Sequence, residues 1–463
     1  MSKHLFTLGA LLVSAGMLFA QSSNTNTAKT PSNVFEAFRM GTHSGNLRSY
    51  MMATDNAPHL SDYRAWAVGG ALHFNTAAFH GFSFGMGGAY VYNASSFDLT
   101  QKDSITGSSN RYEIGLFDVE NTANRGDLDR LEELWLRYAV KKTRITLGNQ
   151  TIQSPLINYQ DGRMRPTAEA GLWVESDDLK NTRIEGGWLW GISPRSTVHW
   201  YDIGESIGLY PKGLNPDGTA SGYPQNIESK GIGLLGITRQ WNKNIKTQLW
   251  DQYVENVFNT AFFQIDATFP LKNRQKIVSG LQLMHQDALG NGGNEIPSKT
   301  YFSTGAQSNT ISAQAGWQSG QWQALAAWTH ITGDGRFLSP REWGREPFYT
   351  FMPRERVEGS GRSHSVTGRA IWQDKHQKMR IEAAYGQFYL PDVKNAAFNK
   401  YAFPAFRQIN LDARYTFDGA LKGLRAQFLY VWKGRIGDIY NNQKYVINKV
   451  DMSLYNFILN YTF

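Results

Sequence analysis

The chain has 463 residues, 19% charged and 13% aromatic, with 45 glycines, no cysteine and a formal charge of +8. The lack of cysteine excludes a disulfide framework, a thiolate metal site and a cysteine nucleophile, and the charge is too small for this length to mark a nucleic-acid binder. A mean hydropathy of −0.44 excludes a bundle of membrane helices, each of which needs about 20 consecutive apolar residues.

The one long apolar stretch stands at the start. Lys3 and His4 precede a run from Leu5 to Phe19 of apolar or small residues, and Ala20 leads into the polar Gln21-Ser22-Ser23-Asn24. This is the layout of a secretory signal peptide over residues 1–20. Residues 21–44 read as a flexible polar lead-in, and 45–463 as one transmembrane β-barrel.

From residue 45 onward the apolar signal has period 2. At the C-terminus Tyr455, Phe457, Leu459, Tyr461 and Phe463 share one parity, with Asn456, Asn460 and Thr462 on the other together with Ile458. Ile409, Leu411, Ala413, Tyr415 and Phe417 alternate in the same way with Asn410, Asp412, Arg414 and Thr416. Such alternation marks a strand with one apolar and one polar face. In chain order, strands are expected near 46–53, 64–73, 83–92, 133–141, 144–149 and 171–176. They continue at 182–191, 232–240, 245–253, 260–268, 277–285 and 310–317, and end with 322–330, 365–373, 379–388, 407–417, 424–432 and 452–463. That makes eighteen antiparallel strands, with sixteen as the smaller alternative.

Soluble sandwich strands share this period but run about 5–6 residues. Many of these run about 9–11, the length that crosses a bilayer at a tilt. Short turns such as Lys141-Lys142-Thr143 alternate with long loops over 93–132, 150–170, 192–231 and 331–364, as in a barrel of short periplasmic turns and long outer loops. Aromatics such as Trp188, Trp190, Trp322, Trp328, Tyr415 and Phe417 suit the girdles at the two interfaces.

Placing the apolar parity in lipid sends the other parity into the lumen. Arg137, Arg144, Arg183, Glu185, Arg369, Arg380, Glu382, Asp412, Arg414, Arg425 and Lys433 then face inward. Two readings stand side by side: arginines offering successive carboxylate sites, or arginines paired with wall acids that only stiffen the barrel. The loop at 150–170 combines apolar residues with Asp161, Arg163 and Arg165 between prolines, as a loop folded into the lumen requires. The loop at 331–364 carries Arg336, Arg341, Trp343, Arg345, Phe351, Arg354 and Arg356, and is expected to narrow the pore from the other side or to form a solvated lid.

Thr146-Leu147-Gly148-Asn149-Gln150, leading to Asp161-Gly162-Arg163-Met164-Arg165-Pro166, resembles the third-loop signature of OprD-type porins, the substrate-specific outer-membrane carboxylate channels. Gly45-Asn46-Leu47-Arg48-Ser49-Tyr50-Met51-Met52 and Leu411-Asp412-Ala413-Arg414-Tyr415-Thr416-Phe417 share the likeness, as does Tyr430-Val431-Trp432-Lys433-Gly434. The resemblance implies an eighteen-stranded barrel in the outer membrane of a Gram-negative bacterium, constricted by loops three and seven, with a basic ladder along its wall. Asp161 and Arg163 match the constriction pair, Arg414 and Lys433 look like ladder positions, and Gln160 stands where many relatives carry Ser. A terminal aromatic such as Phe463 fits handover to the barrel-assembly machinery, with lipid and lipopolysaccharide as surroundings.

No phosphate loop, paired-His metal spacing or G-x-S-x-G turn occurs, so neither a cofactor nor enzymatic activity is expected. The expected function is passive, selective diffusion of small carboxylate-bearing solutes. Rival readings are a channel for sugars or hydrophobic compounds, a barrel hydrolase using His43 and Ser44, and an adhesin built on 192–231 and 331–364.

Overall fold

The computed structural model describes residues 30–160, 162–210 and 212–463. The expected signal peptide, residues 21–29 of the lead-in and Asp161 lie outside the described residues. Within the lead-in, Val34–Arg39 forms a short helix, α1, and the first strand begins at Thr42.

All strands form one sheet of nineteen, one of which is only the two-residue piece Tyr201–Asp202. The eighteen that cross are β1 (Thr42–Asp55), β2 (Tyr63–Asn75), β3 (Phe82–Ser96), β4 (Asp129–Val140), β5 (Thr143–Gln150) and β6 (Ala168–Ser176). Next come β7 (Thr182–Ser193), β8 (Ile232–Asn242), β9 (Ile245–Val254), β10 (Phe258–Pro270), β11 (Lys276–Ala288) and β12 (Gln307–Ser319). The last are β13 (Trp322–Ile331), β14 (Ser363–Gln373), β15 (Met379–Tyr389), β16 (Phe406–Thr416), β17 (Leu424–Arg435) and β18 (Met452–Thr462). Each pairs antiparallel with its neighbours in sequence, and β1 closes on β18 from Asn46↔Thr462 to Asp55↔Ser453. Closure gives every strand two partners and leaves no edge exposed to hydrocarbon.

The parity read from the sequence is the parity of the wall. Leu411 and Tyr415 on β16, Phe428 on β17 and Tyr455 and Phe457 on β18 are exposed to the outside, whereas Asn410, Asp412, Asn456 and Asn460 are buried within. A bulge on β4 changes the phase once: Gly87 pairs with Glu133 and Gly88 with Leu131, so Glu132 is the extra residue. Arg130 and Glu132 therefore face inward above the bulge, with Trp135 and Arg137 inward below it, while Leu131, Leu134 and Leu136 all stay outside.

Nine outer loops, numbered in chain order, cover 56–62, 97–128, 151–167, 194–231, 255–257, 289–306, 332–362, 390–405 and 436–451. The inner end has only short turns, such as 141–142 and 320–321. Gly148, at φ +118° in β5, marks one close approach: a Cβ there would lie 2.2 Å from the Leu134 carbonyl oxygen.

Leu411 sits midway along β16 with 47% of its surface exposed to lipid. Leu411→Arg should destabilise the barrel by about 2–4 kcal/mol. The same change at Gln314, which lines a wet internal cavity, should cost much less. Urea unfolding in phospholipid vesicles, followed by heat-modifiable migration, measures both.

Candidate functional site

The mouth of the barrel is filled by its own loops, and arginines hold them there. Arg130 of β4 donates to the carbonyls of Ser193 (3.2 Å), Pro194 (2.9 Å) and Pro166 (2.6 Å) and pairs with Glu132 at 2.8 Å. One side chain thus ties the end of loop 3 and the start of loop 4 to the wall. Arg165 donates to Leu128 O (3.0 Å) and Phe117 O (3.3 Å), fixing loop 3 to loop 2. It is buried and lines neither of the two cavities described below.

Loops 3 and 7 do not face each other across a gap; they are stitched together. The Asn158 backbone N–H donates to Trp343 O, its side-chain amide donates to Arg345 O, and its Oδ1 accepts from Arg345 N, all at 3.0 Å. Gly344, at φ +134°, permits this approach, since a Cβ there would stand 2.7 Å from Asn158. Arg356 donates to the Gln160 side chain at 2.7 Å, which gives Gln160 a structural partner in loop 7. Loop 7 then runs along the inner wall. Gln282 donates to Pro347 O at 3.0 Å, Tyr349 to Asp266 at 2.8 Å, Gln408 to Pro353 O at 2.8 Å and Arg354 to Asn456 at 2.8 Å.

This seam separates two cavities. The outer one, about 570 Å³, is lined by eight lysines and arginines and one carboxylate, Glu355, among the described residues. The inner one, about 530 Å³, lies between loop 3, loop 7 and wall residues including Glu185, Gln248, Gln264, Gln314 and Arg369. Phe351 is common to both linings, and the Arg345 guanidinium sits 5.4 Å from its ring centroid.

Glu355 is the hub of the outer cavity. Arg111 and Lys433 reach it at 3.1 Å and Arg341 at 3.6 Å, while Arg341 also holds Glu358 at 2.7 Å. Burial raises the Glu355 pKa, but Arg111, Lys433 and Arg341 overcome it and hold the carboxyl at about 2. Four other arginines of this lining have a buried nitrogen without a hydrogen-bond partner: Arg163 Nε, Arg195 Nε, Arg354 Nε and Arg356 Nη1. Gly115 makes room for Arg163, since a Cβ there would lie 2.7 Å from its Nε. Burial, then Arg354 and Arg195, push the Arg163 pKa down to about 9, so it stays cationic at neutral pH.

The remaining residues expected from sequence lie on the wall. Arg380 and Arg414 are directly paired across β15 and β16, and so are Glu382 and Asp412 one step outward. Arg380 binds Glu382 at 2.5 Å and Arg414 binds Asp412 at 2.7 Å, giving a row of guanidiniums beside a row of carboxylates. Arg369 stands 3.9 Å from Glu382 and donates to Tyr349 O at 3.3 Å. Arg137 lies 4.2 Å over the Trp135 ring and bonds Thr146 at 2.9 Å. Arg144 pairs with Glu175 at 3.2 Å and Arg183 with Glu185 at 3.0 Å. Arg425 is exposed on the inward parity of β17. Lys433 is 0% exposed, its ammonium on Glu355, on Tyr112 Oη at 3.0 Å and on Arg354 O at 2.9 Å. Arg111, Arg195, the Glu355 hub and Arg48, whose guanidinium binds Arg163 O, join the site without being expected from the sequence as lumen residues. Arg111 and Arg195 lie in irregular loops, where no period marks a direction.

A closed barrel with a loop plug between two wet cavities is a solute channel of the outer membrane, not a soluble β-protein. The chain belongs to the OprD family of outer membrane porins, whose family model matches residues 41–352. Solved structures share the fold. Acinetobacter baumannii OccAB2 has TM-score 0.72 at 14% identity, covering 92% of this chain and 99% of that one. Pseudomonas aeruginosa OccK9 (OpdG) has 0.71 at 15% identity, with the same 92% and 99% coverage. Pseudomonas aeruginosa OpdK, solved with vanillate, has 0.69 at 15% identity, again over 92% and 99%. No curated protein matches the chain.

Two outcomes follow from the loop-7 acids. Glu355→Gln leaves buried cations without their counter-charge and should cost about 3–5 kcal/mol, read as a lower unfolding midpoint. Glu346, which accepts from Val357 N and Glu358 N at 2.9 Å, is raised by burial from 4.5 to about 7. A raised folded pKa means its contribution is full below about pH 4.5 and is lost as pH climbs through 7. The midpoint should fall by on the order of 1–3 kcal/mol equivalent between pH 5 and 8, and Glu346→Gln should flatten that component.

Proposed function

We propose that the channel passes small carboxylate-bearing solutes by passive, selective diffusion. The observation that carries this reading is the outer cavity, where eight cationic side chains among the described residues surround one carboxylate, already held by two of them and by Lys433 of the wall. Such a field concentrates anions at the mouth, and the part-exposed guanidinium groups of Arg111, Arg195, Arg354 and Arg356 in the lining offer charge-assisted hydrogen bonds. From there the solute moves past Phe351 to the inner cavity and on to Arg369, Arg380, Arg414 and Arg425.

Along this route we assign Asp161 and Arg163 to the transverse field at the aperture, Arg165 and Lys433 to holding the loops that carry it, and Arg137 to the far inner wall. The paired rows on β15 and β16 make weak stations in series, which favour passage over trapping. The vanillate in OpdK is itself a carboxylate, and it supports the same class of solute here. We also assign the final strand, whose Phe463 exchanges backbone hydrogen bonds with Gly45 at 3.0 and 3.1 Å, to recognition by the barrel-assembly machinery, with lipopolysaccharide around the outer loops.

Single-channel current in planar bilayers tests the solute class. Benzoate-type carboxylates should block or permeate at millimolar concentration, and neutral sugars of similar size should not. Arg163→Gln with Arg354→Gln should move the reversal potential toward cations and weaken carboxylate block at least several-fold. Equal block by sugars and carboxylates would favour the sugar channel, and negligible conductance the adhesin.

A further inference from the structure

The short helix α1 has no part in the lumen. It precedes residue 41, where the family match begins, and lies against the outside of the barrel at its inner end. The Phe38 ring sits 6.1 Å from those of Phe74 and Phe84, which share the outward parity of Leu72, Phe82 and Met86. The Ala37 carbonyl accepts from Ala77 N at 3.0 Å, fastening the helix to the turn between β2 and β3.

The helix is also well closed. Asn33 accepts from Glu36 N at 2.9 Å, Ser32 donates to the Glu36 carboxylate through its N–H at 2.7 Å and its hydroxyl at 2.6 Å, and Arg39 lies 3.7 Å from Glu36. Six residues would not hold a helix alone in water, so capping and docking together set its orientation. That orientation turns Val34 (59% exposed) and Phe35 (79%) away from the protein. Phe35 is the most exposed large apolar side chain among the described residues, on a helix whose Phe38 packs against Phe74 and Phe84 of the outward face.

A second feature of the same end concerns charge. The inner turns carry nine lysines and arginines, among them Lys141, Lys142, Lys272 and Arg274, against four aspartates. An apolar face continuous with the membrane belt, rimmed by basic turns, matches an anionic leaflet: acyl chains under the helix and phosphates beside the cations.

We propose that α1 lies in the plane of the periplasmic leaflet with Val34 and Phe35 among the acyl chains, and that Arg39 and the basic turns bind anionic phospholipid headgroups. The helix is thereby an interfacial anchor that sets the depth of the inner rim.

The cysteine-free chain allows a single nitroxide label through Phe35→Cys or Val34→Cys, with Asn273→Cys on an inner turn as the water-exposed control. Heat-modifiable migration shows that each full-length variant has folded. In vesicles of phosphatidylcholine with phosphatidylglycerol, oxygen should collide with the labels at 35 and 34 several-fold more often, relative to a water-soluble nickel chelate, than with the label at 273. That ratio should drop in phosphatidylcholine alone and at high salt. Nickel access equal to that at 273 would overturn the anchor. Dipolar broadening between labels would overturn it in favour of a second copy of this chain on the same face. A ratio unchanged without phosphatidylglycerol would overturn the anionic preference.

Discussion

In hydrocarbon a peptide group has no water to bond, and leaving one unpaired costs several kcal/mol. The chain meets that condition with one sheet whose first and last strands pair over ten residues, from Asn46↔Thr462 to Asp55↔Ser453. Once the sheet is closed, each strand has a lipid side and a lumen side, and side chains sort by polarity. Leucines and aromatics coat the exterior, while arginines, glutamines and carboxylates point into an interior too wide to fill with wall residues alone.

Loops fill the remaining space, and their packing is polar as well as apolar. Arg130, Arg165 and Asn158 bind backbone carbonyls of neighbouring loops, satisfying groups that water would otherwise reach. Glu355 gathers Arg111, Arg341 and Lys433 into one buried cluster. Such a cluster is a modest source of net stability, because desolvation opposes the attraction. It does specify one arrangement of loops 2 and 7 on the wall, and that arrangement shapes the outer cavity.

Charge is distributed differently along the two halves of the lumen. In the lining of the outer cavity, among the described residues, the cations greatly outnumber the one carboxylate, Glu355. Inside it, acids on adjacent strands balance the arginines in rows, as with Arg380, Arg414, Glu382 and Asp412. The excess of positive charge therefore belongs mainly to the loops, and the charges of the inner wall are largely paired.

The barrel was legible in the sequence because its physics is local and periodic: two residues advance the chain one step along one face, so parity alone assigns Leu411 to lipid and Asp412 to water. Each of the eighteen expected strands falls on an observed one, and the long loops fall between them. The site was legible only in part. Wall positions such as Arg380 and Arg414 follow from parity, and the mixed composition of loop 3 pointed to Arg163. Nothing local shows that Lys433 ends on Glu355, that Arg165 binds loop 2 carbonyls, or that Asn158 joins loop 3 to loop 7. Those contacts span tens to hundreds of residues through irregular backbone, where no period links a residue's position to its direction. Sequence by itself determined the cylinder and its two faces; tertiary packing decided which cations pair with acids and which line the outer cavity, because pairing depends on distances that only the assembled loops define.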